Sequence, residues 1–252
     1  MRLWILPVGT FCSDESVLDP QPETGHRLNI SVYVYLIHLP YGLSQFDPGC
    51  SNLCRINPQG FLGQEFSQLL QTHLAADDYI IAQLATVNFT PRDIDGVINS
   101  QLHFDHGGGN SDFSQLQFVI QRSGLAAVNP EPEQCRDSAS LAIITEQLHL
   151  LNGDYHFDTR LYAVSTPGHT DGHQSLVVEL NERPVELTSD AVYTQLQFHP
   201  DNIGTATNPD QAQLSVARLL HLTETLGARP CSSHDPIQIK KESWRLAPGF
   251  YQ

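Results

Sequence analysis

Apolar and polar positions change rhythm several times along this chain, and each change marks an element. The opening MRLWILPVGTFC and the run ISVYVYLIHL at residues 30–39 are β-branched and aromatic, the composition of buried strands. YGLSQF turns back from the second run, and Asp47-Pro48-Gly49 terminates it. In FSQLLQTHLAADDYIIAQLATVN, residues 66–88, apolar residues recur at helical spacing and predict a helix. Thr90 before Pro91 predicts a short capped helix, followed by a short strand at 97–99. LQFVIQRSG at 116–124 reads as a further strand, and a helix is expected from about Arg136. Residues 155–194 read as short strands broken by turns. The strongest helical signal is NPDQAQLSVARLLHLTETLG, which Asn208 caps, Pro209 starts and Gly227 ends. RPCSSHDP then returns as a last short strand. With neither repeat nor linker, residues 1–252 read as one domain. Strands preceding helices twice over, with β-meanders between, predict two mixed sheets flanked by helices.

Composition narrows the partners. Thirteen Lys and Arg against 28 Asp and Glu leave a formal charge of −15, which repels nucleic acid and anionic membranes. Lys240-Lys241 is the only adjacent basic pair. No apolar run approaches the roughly 20 residues of a membrane span. The first residues carry a Pro inside the apolar stretch and lack a small-x-small cleavage site, so they read as a strand and not a signal peptide. Cys12, Cys50, Cys54, Cys135 and Cys231 are odd in number and scattered, which points away from a disulfide framework and towards a reducing, cytoplasmic setting. Cys50 and Cys54 have the wrong spacing for a zinc knuckle and read as ordinary thiols.

The chemistry concentrates in SQLHFDHGGGN, residues 100–110. Two imidazoles around a carboxylate, backed by three glycines, are hard to explain as packing. Four clusters of potential ligands end strands or follow them: Gln101, His103, Asp105 and His106; His169 in STPGHTDGH; Asp190 in LTSD; and His234 in SSHDP. Strand ends at one sheet edge are where α/β folds build sites. Imidazole nitrogens and carboxylate oxygens suit zinc and other first-row divalent ions. Glycines 107–109 let the backbone pack closely behind His106. His26, His38, His73, His149, His156, His199 and His221 stand alone and read as ordinary surface or core residues.

The set Asp47-x-Gly, x-His-x-Asp-His, Thr-Pro-Gly-His, Ser-Asp and His-Asp resembles the metallo-β-lactamase superfamily. The chain is most similar to its N-acyl homoserine lactone lactonases: SQLHFDHGGGN stands against their His-Leu-His-Phe-Asp-His-x-Gly-Gly-Asn, and TPGHTDGHQSL against TPGH-x-x-GHQSL. Asp190 is followed by Tyr193 at the branch's spacing. The resemblance implies an α+β fold, a four-layer αββα sandwich of two mixed β-sheets flanked by helices. It implies two divalent ions, zinc first: one on Gln101, His103 and His169, the other on Asp105, His106 and His234, with Asp190 bridging. A hydroxide between them would be the nucleophile. Tyr193 would hydrogen-bond the substrate carbonyl, and Asp105 would carry a proton to the leaving ring oxygen. His173 would orient a ligand or line the site without binding metal, and Asp47 would organise the site from behind. The implied substrate is a small acyl lactone, and its hydrolysis would quench quorum signalling. Hydrolysis of another ester, thioester or lactone stays open, as does a metal-impaired relative without turnover. Gln101 stands where the family carries histidine. Its amide oxygen is a neutral, hard donor, weaker towards zinc than imidazole, so the departure falls on the first metal alone.

Overall fold

The computed structural model describes residues 1–19, 25–127, 147–235, 237–238 and 246–252. The two apolar runs at the start become β1 (Arg2–Asp14) and β2 (Arg27–Leu39), an antiparallel pair. Both faces of this pair are buried, which is why the runs read as nearly unbroken apolar sequence. Leu3 and Ile5 face one way, into the space between the sheets, while Trp4, Leu6 and Val8 face the other. Around them assembles a sheet of order β4-β1-β2-β3-β5-β6-β7, using β3 (Gly42–Phe46), β4 (Leu70–His73), β5 (Gly96–Ile98), β6 (Gln117–Gln121) and β7 (Leu148–Leu151). A second sheet, β12-β11-β10-β9-β8, uses β8 (Tyr155–His156), β9 (Leu161–Ser165), β10 (Gln174–Glu179), β11 (Pro184–Ser189) and β12 (Arg229–Ser232). Each sheet mixes parallel and antiparallel pairs.

The sheets pack face to face over Tyr33, Tyr35, Ile37, Leu161, Leu176 and Leu187. The outer face of the first carries α1 (Asn52–Ile56), α2 (Pro58–Leu62), α3 (Phe66–Leu69) and α4 (Ile80–Thr86), with Leu62, Ile80 and Leu84 packed in the cluster of Trp4 and Leu6. A short helix, α5 (Arg122–Ala127), follows β6. The long helix α6 (Pro209–Leu226) lies outside the second sheet, its Thr223 hydroxyl donating to Glu186 of β11 at 2.5 Å. This is the αββα sandwich that the sequence implied.

The single helix expected over 66–88 does not form. Leu70 to His73 leave the helical path and pair with Ser13 to Thr10 along the open edge of β1, as β4. That edge offers a row of unpaired backbone groups, and its pairing overrides the local helical pattern. The helix restarts at Ile80, after a turn in which Asp78 accepts from the Ala75 N–H at 2.8 Å. Thr90-Pro91 starts only a turn of 3₁₀ helix, Pro91–Asp93, and the strand expected to run to residue 124 stops at Gln121. The terminal signals of α6 hold: Asn208 accepts from the Gln211 N–H at 3.2 Å, and Gly227 adopts the left-handed φ of 61°. The helix expected from about Arg136, Cys135 and the Lys240-Lys241 pair lie outside the described residues. Among the described residues no helix is long and apolar enough to cross a membrane.

One edge of the sandwich is stitched across the sheets. Gln174, opening β10, donates its N–H to Ser100 O at 2.9 Å and its side-chain amide to Asn99 O at 2.7 Å. This fixes the chain leaving β5 against the second sheet, and the candidate ligands gather there.

Candidate active site

Four chain segments reach this edge, each leaving the C-terminal end of a strand. Gln101, His103, Asp105 and His106 follow β5; His169 follows β9; Asp190 follows β11; His234 follows β12. The 103–107 segment closes as a tight turn in which His106 N–H and Gly107 N–H both donate to His103 O, at 3.0 and 2.8 Å. The glycines behind it are required by space. A Cβ on Gly108 would collide with the Phe104 carbonyl and stand 2.8 Å from Ser51 N, and one on Gly109 would stand 2.6 Å from Pro48 O. Two residues in the site hold left-handed backbone without being glycine, Asp47 (φ 57°) and Ser189 (φ 48°). Such conformations persist where the surroundings over-determine them.

The ligand atoms fall into two triads, His103 with His169 and Asp190, and Asp105 with His106 and His234. In the first, His169 Nε2 lies 3.0 Å from His103 Nδ1 and 3.2 Å from Asp190 Oδ2. In the second, His234 Nε2 and His106 Nε2 lie 3.5 and 3.7 Å from Asp105 Oδ2. Asp190 links the two, with Oδ1 3.0 Å from His234 Nε2 and Oδ2 3.2 Å from His106 Nε2. Zinc bonded to nitrogen and oxygen at roughly 2.0–2.1 Å spaces tetrahedral donors about 3.3 Å apart, so these spacings fit. His106 Nε2 is buried, faces the Asp190 carboxylate and makes no well-formed hydrogen bond among the described residues, which leaves it open to an ion.

Each ligand is aimed from behind. Asp47 Oδ2 lies 2.9 Å from His106 Nδ1, which fixes that proton on the outer nitrogen. Ser31 O lies 2.9 Å from His234 Nδ1 and does the same there. Thr205 O lies 3.2 Å from His169 Nδ1, and the Tyr193 hydroxyl lies 2.7 Å from the same nitrogen. Ser233 donates to Asp190 Oδ1 at 2.8 Å.

Charge is concentrated here. Burial opposes protonation of His106, yet the carboxylates of Asp190, Asp105 and Asp47 together hold its pKa well above the usual imidazole range. His234 is raised too, against its burial, chiefly by Asp190. Burial raises Asp190, but His106, His234 and His169 outweigh it and hold the carboxyl well below its ordinary range. Burial, with His169 alongside, pushes His103 down to about 3. The pocket thus carries a carboxylate-rich demand for positive charge that either protons or a cation can meet.

Every expected ligand reaches the site, and so do Asp47 and Tyr193. Gln101 is 3% exposed, with its side chain directed at the first triad. Tyr193 lines the cavity, although its hydroxyl also donates to Thr205 O at 3.0 Å. His173 is buried behind His169, with Nδ1 2.8 Å from Thr166 Oγ1, and does not line the cavity. The seven histidines read as ordinary are all exposed. Sequence reasoning missed Ser100, whose N–H and hydroxyl donate to Asp47 at 2.7 and 2.6 Å, and the carbonyls of Ser31 and Thr205. Backbone acceptors leave no side-chain signal; Ser100 and Ser233, each next to a candidate ligand, could have been flagged.

Above the triads opens a cavity of about 440 Å³. Its floor is His103, Asp105, His169, Asp190 and His234; its walls include Phe11, Leu18, Ile30, Phe66, Leu70 and Phe104. One end is therefore polar and reactive, and the rest is apolar.

The Metallo-beta-lactamase superfamily profile matches residues 65–229. An N-acyl homoserine lactonase of Bacillus thuringiensis is 30% identical over 252 residues, covering 99% of this chain and 98% of that protein. The N-acyl homoserine lactonase AttM of Rhizobium radiobacter is 28% identical, covering 100% of this chain and 98% of its own length. An N-acyl homoserine lactone hydrolase with N-hexanoyl-L-homoserine bound at its catalytic metal centre superposes with a TM-score of 0.88 at 29% identity, covering 100% of this chain and 98% of that one. A shared fold, a matched profile and full-length relatives agree with the strand-end triads: the chain belongs to the metallo-beta-lactamase superfamily and is homologous to its N-acyl homoserine lactonases.

Proposed function

We propose that this chain is a metal-dependent hydrolase that opens the lactone ring of N-acyl homoserine lactones, and so quenches quorum signals. The observation that carries the reading is the pair of triads linked through Asp190 at the floor of a cavity with an apolar wall. Its relatives named N-acyl homoserine lactonases support the substrate class.

Asp105, His106 and His234 would hold one divalent ion and His103, His169 and Gln101 the other, with Asp190 between. Zinc suits this donor set of imidazole and carboxylate. Bound there, the ions would supply a water nucleophilic at neutral pH and a Lewis acid for the carbonyl. The chain's own residues do the rest. Phe11, Ile30, Phe66 and Phe104 offer the acyl chain an apolar wall, and burying it excludes water from the polar end. Burial, reinforced by Asp190 and Asp105, keeps the Tyr193 phenol neutral, so it can donate to the carbonyl oxygen as negative charge builds. It would give up the Thr205 carbonyl as acceptor to do so. Asp105, on the cavity floor, would take the proton from the attacking water and return it to the ring oxygen as the C–O bond breaks. The product is an N-acyl homoserine carboxylate, with one proton released at neutral pH. Cys12, Cys50, Cys54 and Cys231 form no disulfide among the described residues, which agrees with a cytoplasmic setting, and residues 1–252 form one domain in this reading.

The test is proton release from metal-replete protein across acyl homoserine lactones of increasing chain length, unsubstituted lactones and acyl thioesters. The reading expects acyl homoserine lactones to be fastest, with kcat/KM rising with chain length as apolar wall is covered. Faster thioester hydrolysis would move the assignment within the fold. Protein that binds metal yet hydrolyses nothing would be a non-catalytic relative.

A further inference from the structure

The Gln101 side chain does not present its oxygen to the first triad. Its Oε1 accepts from the His103 backbone N–H at 3.1 Å. Its Nε2 faces inward, 2.7 Å from Asp190 Oδ2 and 3.2 Å from His169 Nε2. The partners leave little freedom in this assignment. His103 N–H can only donate, so it needs the amide oxygen. Asp190 accepts. His169 Nδ1 faces Thr205 O at 3.2 Å and the Tyr193 hydroxyl, itself directed at Thr205 O, at 2.7 Å, which favours the proton on Nδ1 and leaves Nε2 to accept, from Gln101 or from His103 Nδ1 at 3.0 Å. With the amide turned over, its oxygen would face a carboxylate oxygen and an imidazole lone pair, and its NH₂ would face a backbone N–H.

Building on the metal-centre reading above, we infer that Gln101 is a two-position gate on the first metal centre. With the amide nitrogen inward, its two N–H groups stand in for the cation, satisfying Asp190 and His169 in place of an ion. With the oxygen inward, the same side chain becomes a metal ligand. The second position is acceptable only when an ion lies between the oxygen, Asp190 and His169, and it still strips the His103 N–H of its acceptor. Loading the first centre therefore breaks all three of these hydrogen bonds. At the Asp105, His106 and His234 centre no amide is turned inward, and His106 Nε2 faces the carboxylates of Asp190 and Asp105, at 3.2 and 3.7 Å. The gate makes the two ions unequal and orders their binding: the second centre fills first, and the first centre fills only as the amide turns. Losing the buried bond to Asp190 and stripping the half-buried His103 N–H of its acceptor is enough to weaken the second ion roughly ten- to hundredfold relative to the first.

The experiment titrates metal-free full-length protein with zinc, following ions bound per chain and the ¹⁵N-labelled side-chain amide of Gln101, assigned by its loss in Gln101→Glu. Glutamate keeps an acceptor for His103 N–H and replaces only the inward NH₂ by oxygen. Expected for the parent is one tight and one weaker ion, with a roughly ten- to hundredfold gap. The amide protons should be slow to exchange through the first equivalent and move only with the second. Gln101→Glu and Gln101→His should both narrow the gap. Equal affinities in the parent, an amide that shifts with the first equivalent, or one that exchanges freely throughout would overturn the gate and leave the hydrolase reading standing. Protein that takes up no ion at all would overturn both.

Discussion

Asp47→Asn isolates what a buried carboxylate behind a ligand contributes. Asp47 is 2% exposed and accepts three hydrogen bonds, from Ser100 N–H at 2.7 Å, from Ser100 Oγ at 2.6 Å and from His106 Nδ1 at 2.9 Å. Asparagine matches it in volume and tolerates its left-handed φ of 57°. The change therefore replaces one acceptor oxygen by a donor and little else. If the amide oxygen keeps the Ser100 N–H, the NH₂ confronts His106 and drives its proton from Nδ1 to Nε2, the atom that faces Asp105 and Asp190. With an ion on Nε2 the Nδ1 proton would then face a donor in place of its acceptor, so the bound form loses the support that Asp47 gives it. If the oxygen instead keeps His106, the Ser100 N–H is left buried and unpaired. Either outcome matches the cost of losing an outer partner of a metal ligand, about 10- to 100-fold in affinity, or about 1.4–2.8 kcal/mol. The assay is competition against a metal buffer, reading the tighter ion, with thermal unfolding in chelator as a control for the fold. An affinity within twofold of the parent would refute the role of Asp47 in setting the His106 tautomer.

Tyr193→Phe removes a hydroxyl 2.7 Å from His169 Nδ1 but leaves Thr205 O as that nitrogen's partner. Lactone opening should fall about 10²- to 10³-fold in kcat with metal content nearly kept, and an unchanged kcat would remove the phenol from the chemistry. Glu186→Gln addresses stability: burial raises this carboxyl from 4.5 to about 7, against the lowering effect of the Thr223 hydroxyl. A raised folded-state pKa means that the native state holds the proton longer, so its contribution is full below about 4.5 and lost as pH climbs through about 7. The size is about 3 kcal/mol at most. Urea unfolding at several pH values should show the parent weakening over that window and the glutamine variant not; parallel slopes would refute it.

How much of this was legible depended on whether a signal was local. β1 and β2 could be read because both their faces are buried, and α6 because Asn208, Pro209 and Gly227 mark its ends independently of what it packs on. The ligands could be read because the chemistry needs those residue types and the strand ends deliver them. Residues 66–88 misled because the decision there belongs to β1, which takes Leu70 to His73 as an edge partner, and no window around those residues contains β1. The cavity wall was hidden for the same reason: Phe11, Ile30, Phe66 and Phe104 come from four separate segments and look like ordinary core residues.

Gln101 shows a finer limit. The sequence identifies a neutral donor where the family has imidazole, and from that alone a weak oxygen ligand follows. A carboxamide, however, has an acceptor and a donor end of nearly equal size, and the residue type does not say which faces the site. Here the backbone of the motif itself decides. The turn that brings His106 and Gly107 onto His103 O leaves the His103 N–H directed at residue 101. The glutamine answers it with its only oxygen and so turns its nitrogen towards Asp190. The same short turn that gathers the ligands of the second centre thereby sets the polarity of the first.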